Sequence, residues 1–179
     1  MLPEYCVDCI EPIPCCRSIY DAARAILDIA WAKLVECAGS DCCDLMEHFV
    51  AAAEPHLAVA DYLAVYIPDV SVAPVAVTGT EKMLSMKPQR VTCAVKLVES
   101  GYPVIEEVGT EIHEPTGAEL AWISRHALSH IEAIYRGVLS ALMQPNPCGD
   151  LISVGGLRSA VGGGSIVWQF TVTLNITWN

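Results

Sequence analysis

Nine cysteines give this chain its most conspicuous chemistry: Cys6, Cys9, Cys15, Cys16, Cys37, Cys42, Cys43, Cys93 and Cys148. Cys6 and Cys9, with Cys15 and Cys16 close behind, are spaced so that their thiolates can bind zinc or iron. A closed zinc site needs a second well-spaced pair, and the later cysteines supply only the adjacent doublet Cys42–Cys43 and isolated positions. We therefore expect no metal and no other cofactor, with Cys6, Cys9, Cys15 and Cys16 as the candidate ligands should one bind. An odd number of thiols cannot pair fully within one chain, and a reducing compartment keeps most of them free. Under oxidant, the doublet Cys42–Cys43 can bridge to the amino-terminal arm.

Other reactive types fall short of a constellation. His126 and His130 lie four residues apart and share a helical face with Trp122. No HExxH pattern accompanies them, so a metal there needs ligands from elsewhere, and a polar or partner-facing helix edge is the plainer reading. His48, His56 and His113 are isolated. The glycines flanking Val161 are followed by Ser165-Ile166-Val167, not by the lysine and next-residue hydroxyl that a phosphate loop requires, and no GxGxxG bridges a strand and a helix. Glu106, Glu107, Glu111, Glu114 and Glu119 form an acidic run. Paired carboxylates do acid–base work when a pocket separates their pKa values, but no nucleophile or metal partner is at hand. We expect a solvated or lumen-facing surface and no enzyme.

Charge narrows the partners. Ten basic against 21 acidic side chains leave a formal charge of −11 over 179 residues, which disfavours a surface built to neutralise phosphates. It suits one that nucleic acid passes without sticking. No basic leader with an apolar run is seen, and no apolar stretch reaches the roughly 20 residues of a membrane helix. We expect a soluble intracellular product with no membrane partner.

Periodicity then locates the elements. Ile19, Ala23, Ile26, Leu27, Ala30 and Leu34 recur at helical spacing between Arg17 and Cys37, with Asp21, Arg24, Asp28 and Lys33 on other faces. Gly39 and Ser40 end that helix. Strands are expected at about 45–52 and 62–67, the second bounded by Pro68. Val70 to Gln89, with Pro74, Gly79 and Pro88, reads as a long extended arm. Val91, Cys93, Val95 and Leu97 alternate with Thr92, Ala94, Lys96 and Val98, a half-buried strand. An irregular acidic stretch runs from Val104 to Pro115.

Thr116 and Glu119 form a capping box opening a second helix, whose stripe is Leu120, Ile123, Ala127, Ile131, Ile134, Val138 and Leu142. Pro145 and Pro147 forbid its continuation. A short strand at 151–153 is followed by a glycine-rich turn or loop. Ile166, Trp168, Phe170, Val172, Leu174, Ile176 and Trp178 then share one parity of a long final strand, with Gln169, Thr171, Thr173, Asn175 and Thr177 on the other.

Neither helix nor strand hides its apolar side alone. The economical solution is an α/β chain of α+β type: an antiparallel or mixed sheet with two helices packed on one face and a long extended arm. The length suits one domain over 17–179, preceded by a cysteine-containing arm over 1–16. The expected core is Ile19, Ile26, Leu27, Leu34, Val95, Leu97, Leu120, Ile123, Ile131, Ile134, Trp168, Phe170, Val172 and Leu174.

The order of these pieces resembles the tail terminator proteins of long-tailed, siphovirus-type actinobacterial phages. The likeness lies in Tyr20-Asp21-Ala22-Ala23-Arg24 within the first helix, the strands near Phe49–Ala52 and Tyr62–Tyr66, the arm, Arg90-Val91-Thr92-Cys93, the long second helix, and Ser165-Ile166-Val167-Trp168-Gln169-Phe170-Thr171-Val172-Thr173-Leu174. It spans about residues 17–178.

The resemblance implies a virion structural protein at the head–tail junction, assembled in the host cytoplasm as a hexameric ring. Such a ring caps the tail tube, ends its polymerisation and joins the tail to head-completion or stopper proteins. DNA crosses its lumen without specific binding. The arm would then make inter-subunit or tube contacts through Val70, Val72, Val75, Val77, Met83, Leu84 and Met86, and Gly162–Gly164 would be a flexible turn. A head-closure or other neck connector protein, a cysteine-dependent metal-binding interaction module and a small hydrolase are the alternatives.

Overall fold

The computed structural model describes residues 18–39, 46–56, 61–72, 89–102, 106–108, 111–144 and 149–176. The expected amino-terminal arm, and Val75, Val77, Met83, Leu84 and Met86, lie outside the described residues.

Helix α1 spans Ile19–Ala38. Its N-cap Ser18 accepts a hydrogen bond from the Asp21 backbone N–H at 3.1 Å, satisfying one of the donors that a helix start leaves free. It ends at Gly39, whose φ of 83° needs a residue without a Cβ. Strands β1 (Glu47–Ala51), β2 (Tyr62–Val72) and β3 (Gln89–Ser100) follow, and then a small separate hairpin, β4 (Glu106–Val108) with β5 (Glu111–His113). Helix α2 covers Gly117–Leu142 behind the Thr116–Glu119 capping box. The chain closes with β6 (Asp150–Val154), β7 (Arg158–Gly162) and β8 (Ser165–Ile176).

The main sheet has six strands in the order β1-β2-β3-β8-β6, with β7 also paired to β8. It is mixed: β1 runs parallel to β2, and every other pair is antiparallel. Parity assigns its two faces. Leu63 and Val65 of β2, Val91, Cys93, Val95 and Leu97 of β3, and the even residues Ile166–Ile176 of β8 face the helices and join one buried cluster. The helices contribute Ala22, Ala23, Ile26, Leu27, Ala30 and Leu34 from α1 and Ala127, Ile131, Ile134, Val138 and Leu142 from α2. This is an α+β fold with the two described helices on one face of a mixed sheet.

Four local expectations need correction. First, β2 does not stop at Pro68 but continues to Val72, so Val70 and Val72 belong to the sheet and not to an arm. The register shifts between Tyr66 and Asp69, where β2 carries one extra residue, and β1 pairs only with Tyr62–Tyr66. Pro68 therefore sits at a bulge on a strand edge, where a missing N–H breaks no ladder. Second, the acidic 104–115 stretch is not irregular throughout, since it contains the β4–β5 hairpin. Third, the segment after residue 153 holds β7, continuing the β6 edge along β8. Its connection to β8 is tight: Gly163 (φ 59°) and Gly164 (φ 75°) form the two-residue loop, both in the left-handed region that twist-matched hairpins require.

The fourth concerns Leu120 and Ile123, expected in the core but only half-buried. Lys33 lies against Gly137 and the Cys37 thiol against the Ser129 carbonyl, so α1 and α2 run antiparallel and α1 ends alongside Ser129. The earlier turns of α2 reach past that end and have no other described helix beside them. Ile19 is also only half-buried, packed at the margin of the core.

Candidate functional site

Three places on the described surface depart from an ordinary solvated exterior. The first is the lateral edge of the sheet. All five residues of β7 are exposed, and its Val161 is 52% exposed. Ile152 and Leu157 are also exposed. The pairing passes from Leu151–Leu174 to Ser153–Thr173, leaving Ile152 as an extra residue outside the register. A second extra residue falls between Val154 and Arg158, where Gly155 N–H still donates to the Thr171 carbonyl at 2.8 Å. Two bulges thus bend this edge and turn apolar side chains outward. On the other side, Val70 is exposed on the part of β2 that β1 leaves uncovered.

The second place is the sheet face opposite the helices. Lys96 is 5% exposed there, the buried charged residue among the described ones. Its Nζ donates to Glu54 Oε1 at 2.9 Å and to the Pro55 carbonyl at 3.0 Å, and the Tyr62 hydroxyl donates to the same carbonyl at 3.1 Å. Gln169 Nε2 donates to the Tyr66 hydroxyl at 2.7 Å beside it. The connection from β1 to β2 is thereby held across this face. Burial pulls the Lys96 pKa down, but the hydrogen bond with Glu54 and the nearby Tyr62 oxygen outweigh it, and the net shift is upward. Glu54 is held below the usual carboxylate range, chiefly by the Lys96 hydrogen bond. Such a lysine stays a cation and makes a poor base or nucleophile, so the network clamps the chain rather than moving protons.

The third place is the projecting start of α2. Trp122, His126 and His130 share one face as their spacing predicts, with ring centres 4.5 Å apart for Trp122–His126 and 6.5 Å for His126–His130. What the spacing alone does not reveal is Glu99 at the end of β3, whose Oε1 lies 2.6 Å from His130 Nδ1. Only the folded sheet brings these residues together.

His48 is stacked on Trp31 at 4.1 Å, which makes it a packing element. A groove of about 630 Å³ runs between α1 and α2 beside Lys33, Glu36, Cys37, Arg136 and Gly137, open to solvent. Cys37 is exposed and Cys93 is buried, its pKa pushed up to about 12 by burial. Cys6, Cys9, Cys15, Cys16, Cys42, Cys43 and Cys148 lie outside the described residues. Among those described, no group of three or more histidine, cysteine, aspartate or glutamate side chains could hold a metal, and no helix is long and apolar enough to cross a membrane.

Comparison with known proteins returned no match to any family model and none to a curated protein. What the geometry defines by itself is an α+β domain whose sheet edges, among the described residues, are unpaired and bear apolar side chains.

Proposed function

We propose that this chain is a structural subunit that joins its own copies in a ring, as a tail terminator of a long-tailed phage. There it would cap the tail tube, stop its growth and connect it to the head-completion proteins. The observation that carries the assembly is the direction of the two sheet edges left unpaired among the described residues. β1 is parallel to β2, and the successive antiparallel steps to β3, β8 and β6–β7 leave the far edge running opposite to β1.

Head-to-tail repetition of such a sheet brings β7 of one copy against β1 of the next as an antiparallel pair. Unpaired edges are then covered by the neighbouring subunit. A heterologous contact of this kind closes into a ring when its rotation divides a full turn. The exposed Val161, Ile152 and Leu157 supply apolar area along the seam. The neck of a phage particle as the setting rests on the resemblance in element order, and the formal charge of −11 suits a lumen that lets DNA pass.

Sedimentation velocity and negative-stain imaging of the full chain test this reading, together with a density map of the particle neck. We expect six-fold rings over the last tube ring, and Val161→Lys to dissociate them without unfolding the subunit. A chain that remains monomeric at its highest soluble concentration overturns the proposal. Rings found one level nearer the head replace the terminator with a head-closure protein.

A further inference from the structure

We propose that Trp122, His126, His130 and Glu99 form a surface site for a late first-row divalent transition ion such as Ni²⁺, Cu²⁺ or Zn²⁺, with His126 and His130 as the protein ligands. Imidazole nitrogen suits these ions, and residues four apart on a helix present two of them to one side. The observation that lifts this above an incidental pair is Glu99. A carboxylate only accepts hydrogen bonds, so its 2.6 Å contact holds a proton on His130 Nδ1 and leaves Nε2 as the nitrogen that can bind a ligand. Carboxylate, histidine and metal in that order are the usual outer support of a metal-bound imidazole.

Two further features favour a cation here. The other oxygen of Glu99, Oε2, is buried and has no hydrogen-bond partner among the described residues, so the carboxylate's charge is shared with His130 alone. His126 lies on the part of α2 that extends past the end of α1 and is exposed, whereas His130 sits level with that end and is half-buried. Two imidazoles on one tetrahedral ion, with metal–nitrogen bonds near 2.0–2.1 Å, have ring centres about 5 Å apart. The present separation is 6.5 Å, so His126 must swing inward by roughly 1.5 Å, a movement its exposed position permits. Water fills the remaining coordination positions, which makes this an open site and one that an incoming donor could complete.

Trp122 supplies the readout, because its ring is 4.5 Å from that of His126 and bound Ni²⁺ quenches a neighbouring indole. The full chain is titrated with NiCl₂ while tryptophan emission is followed, with ZnCl₂ as competitor. We expect saturable quenching that Zn²⁺ reverses and that Trp122→Phe removes. His126→Gln and His130→Gln should abolish it, and Glu99→Gln should weaken it about 10- to 100-fold. His126 is exposed, so His126→Gln keeps the fold, and circular dichroism checks each variant. Quenching that survives His126→Gln, or an unchanged affinity in a folded Glu99→Gln variant, overturns the site.

Discussion

The ammonium of Lys96 lies 2.9 Å from the Glu54 carboxylate, joining the middle of β3 to the connection that follows β1. Lys96 is 6% exposed at its side chain and Glu54 43%, so one partner is desolvated and the other stays in contact with water. The pair pins the crossover that lets β1 run parallel to β2, and so helps to set the direction of the outer edge.

Glu54→Gln should destabilise the fold by about 1–2 kcal/mol, since hydrogen bonds to charged groups are worth about 1.5–3 and the exposure of Glu54 reduces that. Urea unfolding reads the change. The pH dependence follows from the two shifts. The Glu54 pKa is lowered in the fold, so its contribution is present above the ordinary carboxylate value and is lost as pH falls through the depressed one. The Lys96 pKa is raised, so its contribution is full below the ordinary lysine value and is lost as pH rises through the higher folded one. Stability conferred by the pair should therefore span the neutral range and fade at both ends, and Glu54→Gln should flatten the acid limb.

Trp168 lies in the helix-facing row of β8, buried, with an indole N–H that has no partner among the described residues. Trp168→Ala should cost about 3–5 kcal/mol by leaving a cavity. Trp168→Phe keeps most of the volume and removes the unsatisfied donor, so it should cost less than about 1.5 kcal/mol. Chemical denaturation of the two variants separates cavity from polar effects.

Thiol accessibility should split the two described cysteines. Cys93 is buried with its pKa pushed up to about 12, whereas Cys37 is exposed at the end of α1. At pH 8 a thiol of that pKa carries about a thousandfold less thiolate than a free one of pKa near 8.5. Iodoacetamide labelling with peptide mass mapping should modify Cys37 in the native protein and Cys93 only after unfolding.

Gly137 marks the close approach of the helices, since a Cβ there would overlap Lys33 Cγ and lie 3.2 Å from Lys33 Cβ. Replacing a helical glycine ordinarily gains up to about 1 kcal/mol. Overpacking at a tight contact costs about 1–3 kcal/mol. Gly137→Val should therefore be destabilising on balance, by about 1–2 kcal/mol in thermal or urea unfolding.

Periodicity and capping chemistry make much of this fold legible in the sequence alone. The six even positions Ile166–Ile176 of β8, the stripe of α1 and the Thr116–Glu119 box each express a rule that acts within a few residues. Those rules state which side of an element is apolar, and therefore that two helices must cover a sheet. They also place Trp122, His126 and His130 on one helical face.

Tertiary structure alone decided the rest, because it depends on which distant segments meet. Pro68 ends a strand in isolation, yet it is accommodated where β1 stops covering β2. β7 has five exposed residues and no apolar alternation, so its strand character comes wholly from pairing with β8. Lys96 is indistinguishable by sequence from any lysine on a wet strand face, and it becomes buried because residues 54 and 55 fold across it. Glu99 and His130 are 31 residues apart and meet only when α2 is laid against the end of β3. Local preference is written in neighbouring residues, whereas burial, partner choice and edge direction arise from long-range packing that no short window contains.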